Sequence, residues 1–436
     1  MLSLPEINFR RRLDQVISKL NGQAMLIMAQ PQAYRNSTVE APWRQDGLFY
    51  YLTGFSETDA ALLVLSHRGP SEPRVILFLR DKDPHAELWN GLRLGVAAAK
   101  EKLPIDEAFS WDDLWQKLPN LLNGAQGLFY SLGLWHDFDR KVIEALRRHR
   151  ATAARNAAGM LTISDPSLIG GSLRVRKGPD EVARMKAAAK ITSGAFARVL
   201  KELKPGQSER DVHATLLHEF LKGGAEMEAY GSIVAGGNNA CVLHYRDNNA
   251  TLRDGELLLI DAGCQVDNYA SDVTRTFPIN GKFSAAQKSL YSICLQSQKD
   301  AIAAAKPGAS WVDVQDAAFK TLTKGLIDIG LIKESVDEAL QKNIHKHFCP
   351  HGISHWIGLD VHDAGMYKEG ETPIPFEPGM YFSVEPGIYI NSTDQSVPEE
   401  FRGIGIRIED DVLITTTGNE VLTASIPKEI ADVERL

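Results

Sequence analysis

The chain is 436 residues long, with 48 basic and 56 acidic side chains, a net charge of −8 and an apolar content of 44%. That length exceeds what one compact core organises, so two domains are expected, and the acidic balance argues against a nucleic-acid surface. No stretch approaches the ~18 consecutive apolar residues of a membrane span.

In chain order, residues 8–20 read as an amphipathic helix with Arg10, Arg11 and Arg12 on its solvated face. The apolar runs AMLIMA (24–29), LFYYLTGF (48–55), AALLVL (60–65) and RVILFL (74–79) read as strands, alternating with helices such as 136–149. The first part of the chain is thus an α/β unit. SDPSLIGGSLRVRKGPDE (164–181) is a break rich in Pro and Gly, after which the pattern becomes α+β. There the chain repeats itself. KPGQSERDVHATLLHEFLKG (204–223) and KPGASWVDVQDAAFKTLTKG (306–325) share Lys, Pro, Gly, Ser, Asp and Val at a constant offset, each after an Ala-rich helical stretch (180–203 and 284–305). Ser208 and Ser310 are expected to cap the second helix of each pair, with Asp211 and Asp313 three residues on. Two copies indicate a pseudo-twofold duplicated domain rather than a solenoid. The opening MLSLPEINFRRRLDQVISKL lacks a continuous apolar segment of the secretory kind. Cys241, Cys264, Cys294 and Cys349 form no Cys-x-x-Cys pair and read as core thiols of a reducing compartment. A cytoplasmic protein is the expectation.

Acidic residues inside apolar strands carry the chemistry. In ELLLIDAGCQVDNYASDVTRTFPI (256–279), Asp261 ends an apolar run and Asp272 follows. A turn at Val266-Asp267 would oppose them across a hairpin, where like charges are destabilising without a cation. The alternative is a turn cap and a solvated carboxylate, the fate expected of Asp267. In the second half, Glu385 sits in GMYFSVEPGIYI (379–390). In GIGIRIEDDVLI (403–414), Arg407 and Glu409 alternate with Ile406 and Ile408, so they should share a strand face, as site residues or as a structural ion pair. Asp410 and Asp411 are expected at the strand's solvent side or end. HKHFCPHGISHWIGLDVHD (345–363) concentrates histidines, but Pro350 and Gly352 around His351 and the absence of a His-Glu pair exclude a helical zinc motif. His345 and His347 are expected to be bystanders. A site of four carboxylates suits Mn²⁺, Mg²⁺ or Ca²⁺ better than structural Zn²⁺. With a bridging hydroxide it holds five negative charges, a count that two divalent ions offset better than one.

The ordered segments DAG…SDVTRTF, HGISHWIGLDVHD, VEPGIYI and GIGIRIEDDV resemble the M24 metallopeptidases of pita-bread fold, and within them the bacterial Xaa-Pro aminopeptidases. FYYLTGF and LWNGLRLG extend the resemblance to the N-terminal part. It implies an aminopeptidase P/creatinase-type α/β domain over 1–172 and an α+β pita-bread catalytic domain over 173–436. It further implies two Mn²⁺ per subunit, with Co²⁺ or other divalent ions as substitutes. Asp261 would bind one ion, Asp272 and Glu409 would bridge both, and His355 and Glu385 would complete the other's ligands. The same resemblance makes Glu385 the proton shuttle. His244, His351 and His362 would contact substrate or steady the intermediate, Arg407 and Tyr389 would support the ligands, and Tyr230 would lie near the substrate. The implied reaction is attack by a metal-bridged hydroxide on the bond between the first residue and proline. Related enzymes are often tetramers or dimers, so a homo-oligomer is implied. Trp89 would then line a neighbour's site, or simply pack.

Three alternatives stand beside this reading. A prolidase would cleave Xaa-Pro dipeptides with the same ligand set. A peptide-binding module on the same fold, without catalysis, would have lost ligands, and this chain retains all five; a metal-free creatinase-like enzyme is disfavoured on the same ground. Partners are therefore expected to be peptides with proline second, with neither nucleic acid nor membrane.

Overall fold

The computed structural model describes residues 4–69, 71–72, 74–153 and 162–435. They divide into two compact units, one of Ile7–Leu173, the other of residues 174–435 with residues 4–6.

In the N-terminal unit, strands β1 (Ala24–Met28), β2 (Ala61–Leu65), β3 (Val75–Leu79), β4 (Glu107–Ser110), β5 (Gly127–Phe129) and β6 (Thr162–Ser164) form a sheet ordered β4-β3-β2-β1-β5-β6. Every residue of β1, β2 and β3 is buried, which is why these strands read as continuous apolar runs. The run at 48–55 is not a strand. It forms the helix Gly47–Thr53, with Asp46 accepting the Phe49 N–H at 2.8 Å and Gly54 closing the helix at a φ of 63°. A short apolar run has no decisive period, so the caps chose between helix and strand. The expectation of a fully solvated arginine face also fails at Arg12, on helix Phe9–Lys19. Arg12 is 5% exposed, donates to the Tyr51 carbonyl at 3.0 Å and lies 4.1 Å over the Tyr51 ring. Arg11 is exposed, and Arg10 pairs with Asp14 and Asp106.

The C-terminal unit shows the duplication. Helices Pro179–Glu202 and Glu209–Gly223 open the first half, and Ala285–Ala304 and Trp311–Asp328 open the second. Ser208 N–H donates to Asp211 at 2.8 Å while its hydroxyl accepts the Asp211 N–H at 3.1 Å. Ser310 N–H donates to Asp313 at 2.7 Å. Each such cap stabilises its helix by roughly 1 kcal/mol and fixes where the chain turns.

After the first helix pair come β7 (Met227–Glu228), β8 (Ile233–Gly236), β9 (Leu257–Asp261), β10 (Cys264–Val266), β11 (Tyr269–Ala270) and β12 (Thr274–Pro278). β12, β9 and β8 form an antiparallel sheet, and β10 and β11 form a hairpin turning at Asp267 and Asn268, with φ of 48° and 66°. That left-handed pair is the turn preferred by Asp and Asn in tight hairpins. The second half carries the short hairpin β13 (Lys368–Glu369) and β14 (Thr372–Pro373). It then supplies β15 (Tyr381–Val384), β16 (Gly387–Ile390), β17 (Ile404–Arg407), β18 (Asp410–Ile414) and β19 (Asn419–Val421). β15 pairs with β18, and β16 with β17. The halves are stitched where Glu409 N–H donates to the Thr274 carbonyl at 2.9 Å and Thr276 Oγ1 donates to the Arg407 carbonyl at 3.0 Å. No described helix is long and apolar enough to cross a membrane.

Candidate metal centre

At this seam a cleft of about 540 Å³ brings together Asp261, Asp272, Glu385 and Glu409, with His355 on its wall. Asp261 closes β9. Asp272 follows the β10–β11 hairpin, Glu385 lies between β15 and β16, and Glu409 lies between β17 and β18. All four sit at or just beyond the end of a strand and line the gap. The aspartates meet by a different register from the one expected. Asp261 is paired with Thr274, not with Asp272, because the β10–β11 excursion is inserted between them. Gly263 makes that excursion possible: a β-carbon there would fall 1.9 Å from the Ser271 carbonyl oxygen.

Hydrogen bonding in the cleft is short of protons. The Tyr230 hydroxyl reaches Asp261 Oδ1 at 2.7 Å and also Asp272, yet it has one proton for two carboxylates. His355 Nδ1 contacts the Trp356 carbonyl at 3.1 Å, which makes Nδ1 the protonated nitrogen. Its Nε2 then faces Asp272 and Glu385, each at 3.4 Å. A lone pair aimed at two carboxylates needs either a second proton or a cation between them. Asp272, His355 and Glu409 offer ligand atoms that all lie within 4.8 Å of one another.

The electrostatics agree. Burial pushes the Glu409 carboxyl well above its usual range, reinforced by Asp272 and Glu385. Burial likewise raises Glu385 to about 7, and raises Asp261 against the pull of Arg407. At His355 burial opposes protonation, but the hydrogen bond to Asp272 and the charges of Glu385 and Asp272 carry it up to about 9. A bound cation reverses this logic by favouring every carboxylate's ionised form. The residues fit a divalent metal rich in oxygen ligands.

Around the carboxylates runs a hydrogen-bonded chain. Arg407 donates to Asp261 at 2.6 Å, to the Tyr389 hydroxyl at 2.9 Å and to Thr274 Oγ1 at 3.0 Å. Thr274 Oγ1 donates onward to Glu409 at 2.6 Å. Tyr389, having accepted from Arg407, donates to His351 Nε2 at 2.8 Å, so His351 carries its proton on Nδ1, which donates to the Gly352 carbonyl at 2.7 Å. Burial holds this imidazole neutral, with its pKa lowered to about 4. His244, His351 and His362 all line the cleft, and the His362 ring lies 4.3 Å from that of His355.

Several sequence expectations need correction. Arg407 and Glu409 do not share one strand, since β17 ends at Arg407; Thr274 links them, and the arginine's carboxylate partner is Asp261. Asp410 and Asp411 are not solvent-facing but fully buried. Asp410 meets Arg275 at 2.7 Å, Lys428 at 2.5 Å, Gln298 at 2.7 Å and Thr423 at 2.7 Å. Asp411 accepts the Asp272 N–H at 3.1 Å. His345 and His347, expected as bystanders, are not among the residues lining the cleft: His345 is buried against Phe319, with ring centroids 4.5 Å apart, and His347 pairs with Asp394 at 2.7 Å. Asp267 is not merely solvated: it pairs with Arg184 at 2.9 Å. Trp89, expected at a neighbour's site or packed, lies on helix Pro84–Asn90 of the N-terminal unit and is 75% exposed.

Two contributors escaped the sequence reading. Thr274, visible only as one of two alternating threonines in β12, relays between Arg407 and Glu409. Glu209 is buried and accepts from Gly236 N–H at 2.8 Å, Asn239 at 3.0 Å, Tyr245 at 2.8 Å and Ala250 N–H at 2.9 Å. It thus holds both ends of the loop that carries His244. Its position just after a capping serine suggested only a helix start.

Residues 183–416 match the metallopeptidase family M24, and residues 9–130 match the aminopeptidase P N-terminal domain. The chain is 41% identical over 437 residues to the Xaa-Pro aminopeptidase of Escherichia coli (strain K12), covering 100% of this chain and 98% of that protein. It is 34% identical over 422 residues to Xaa-Pro aminopeptidase 3 of Homo sapiens, covering 95% and 80%. Aminopeptidase PepP of Pseudomonas aeruginosa superposes with a TM-score of 0.95 at 40% identity, covering 100% of this chain and 98% of that one. A zinc-substituted Escherichia coli aminopeptidase P in complex with product gives a TM-score of 0.93 at 40% identity, covering 99% and 98%. With five buried or half-buried ligand-type side chains gathered in its C-terminal unit, this chain belongs to metallopeptidase family M24 and carries an aminopeptidase P N-terminal domain.

Proposed function

We propose that the protein is a Xaa-Pro aminopeptidase that removes the first residue from peptides with proline second, using two divalent ions, Mn²⁺ by preference, held by Asp261, Asp272, His355, Glu385 and Glu409. The observation that carries this reading is the proton-poor cluster itself: four carboxylates and an imidazole lone pair face one cleft. When bound, the ions supply Lewis acidity and lower the pKa of a water to near neutrality. The protein's residues do the rest. Glu385 accepts a proton from the nucleophilic water and returns it to the proline nitrogen as the bond breaks. Arg407 and Thr274 fix Asp261 and Glu409 in place. His244 and His362 line the same cleft, positioned to donate to the developing oxyanion and to the leaving group. Proline in second place offers no N–H, so binding must rest on such side chains rather than on backbone pairing.

The protein is further proposed to be a cytoplasmic homo-oligomer, acting on peptides and not on nucleic acid or membrane. Exposed Trp89, Leu88 and Leu92 on the N-terminal unit offer an apolar contact for a second copy. The deciding experiment is a Mn²⁺-supplemented assay on a tripeptide and a dipeptide that share the same Xaa-Pro bond, using wild type and Glu385→Ala. Cleavage of the tripeptide, lost by ~10³-fold in the variant, is expected. Cleavage of the dipeptide alone favours a prolidase, and no metal-dependent turnover overturns both.

A further inference from the structure

The cleft contains two guanidinium groups in opposite circumstances. Arg407 is buried and committed to Asp261, Tyr389 and Thr274. Arg246 lines the same cleft but is exposed, two residues beyond His244. Among the described residues Arg246 forms no ion pair with a carboxylate. Its place is fixed by a glycine. Nη1 lies where a β-carbon on Gly231 would come within 2.9 Å, so the absence of a side chain beside Tyr230 lets the guanidinium rest on this wall. The charge of the cleft is therefore zoned. Four carboxylates with their cations occupy the depth, and one uncommitted cation stands at the more open wall. A peptide bound with its α-amine toward the carboxylates sends its leaving side outward, and that side carries the carboxylate.

We infer that Arg246 is a specificity-determining residue that binds a carboxylate on the leaving side of the peptide, either the free C-terminus of a short substrate or an acidic third side chain. This rests on the aminopeptidase reading above. Guanidinium is suited to carboxylate recognition, and its exposure keeps the contribution modest and sensitive to salt.

The test compares kcat/KM for Ala-Pro-Gly, Ala-Pro-Gly-amide, Ala-Pro-Asp-amide and Ala-Pro-Lys-amide with Mn²⁺, in wild type, Arg246→Ala and Arg246→Glu. Wild type is expected to prefer a carboxylate-bearing peptide by about 3-fold to 5-fold. Arg246→Ala should erase that preference, Arg246→Glu should invert it toward the lysine peptide, and 0.5 M salt should shrink it. A preference confined to the free acid assigns the terminus as ligand, and one confined to aspartate assigns the side chain; both support the inference. Peptide ratios unchanged in Arg246→Ala overturn it while leaving the aminopeptidase reading intact. Failure of wild type to cleave any of the four overturns both.

Discussion

Glu409 and Asp410 are consecutive, both carboxylates, and both buried at 2% and 0% exposure, yet their environments drive them in opposite directions. Burial raises both. At Glu409 the carboxylates of Asp272, Glu385 and Asp261 outweigh the opposing charge of Arg407, so the group is pushed well above its usual range. At Asp410 the guanidinium of Arg275 and the ammonium of Lys428 overturn the burial effect and hold the group below its usual range. Arg275 also donates to the backbone carbonyls of Thr274 and Glu409, so the neutralised knot grips the peptide unit beside an acid that has no direct ion pair among the described residues. The difference teaches how to read a buried acid. One with its own cations is part of the frame, and one without them awaits a ligand.

The contrast can be broken most forcefully at the frame. Asp410→Asn leaves Arg275 and Lys428 without their acid and should cost about 4 kcal/mol, read as a lowered urea midpoint. The sign of its pH dependence follows from the depressed folded pKa. Asp410's contribution is complete above the unfolded value of about 3.9 and drains away as pH falls below it, so the variant should lose that part of the wild type's acid-side slope. Glu409→Gln should do the reverse. Activity should fall by at least ~100-fold, since even residues supporting metal ligands cost 10-fold to 100-fold. The metal-free protein should nonetheless melt no lower than wild type, and preferably higher, because a buried carboxylate without a cation has been removed. A fall in its metal-free melting temperature would show that Glu409 belongs to the frame after all. Adding Mn²⁺ to chelator-treated wild type at 100 times the Kd of each site should stabilise it by about 2.7 kcal/mol per ion bound, or roughly 3 °C per ion by calorimetry. Asp410→Asn should keep that increment and Glu409→Gln should lose most of it. The smallest effect is expected at Glu209→Gln, which cannot accept all four of its donors. A loss of about 1–2 kcal/mol should come with a fall in kcat larger than any change in KM, because the loop that carries the oxyanion donor His244 is loosened rather than the carboxylates.

Much of the fold was legible because local signals carried it. The capping serines placed both helix pairs, and the interrupted apolar runs placed β1, β2 and β3. Where the signal was apolar without a period, as at 48–55, the reading went to strand and the caps went to helix. Asp410 and Asp411 looked like a strand's polar end because their cations and donors lie far away in sequence: Arg275 is 135 residues from Asp410. Local polarity cannot reveal a distant counter-charge.

The sequence by itself determined the carboxylates set within apolar strands, the rejection of a helical zinc motif and the duplicated architecture, because periodicity, turn chemistry and helix caps are properties of neighbouring residues, while the full ligand set came from the family resemblance. Only the tertiary structure decided which acids were neutralised, that Asp261 faces Thr274 rather than Asp272, and that Glu209 holds the His244 loop. It also left Arg246 as the cleft's uncommitted cation among the described residues. Those outcomes depend on groups brought together from distant parts of the chain, where burial makes the identity of the nearest charge decisive.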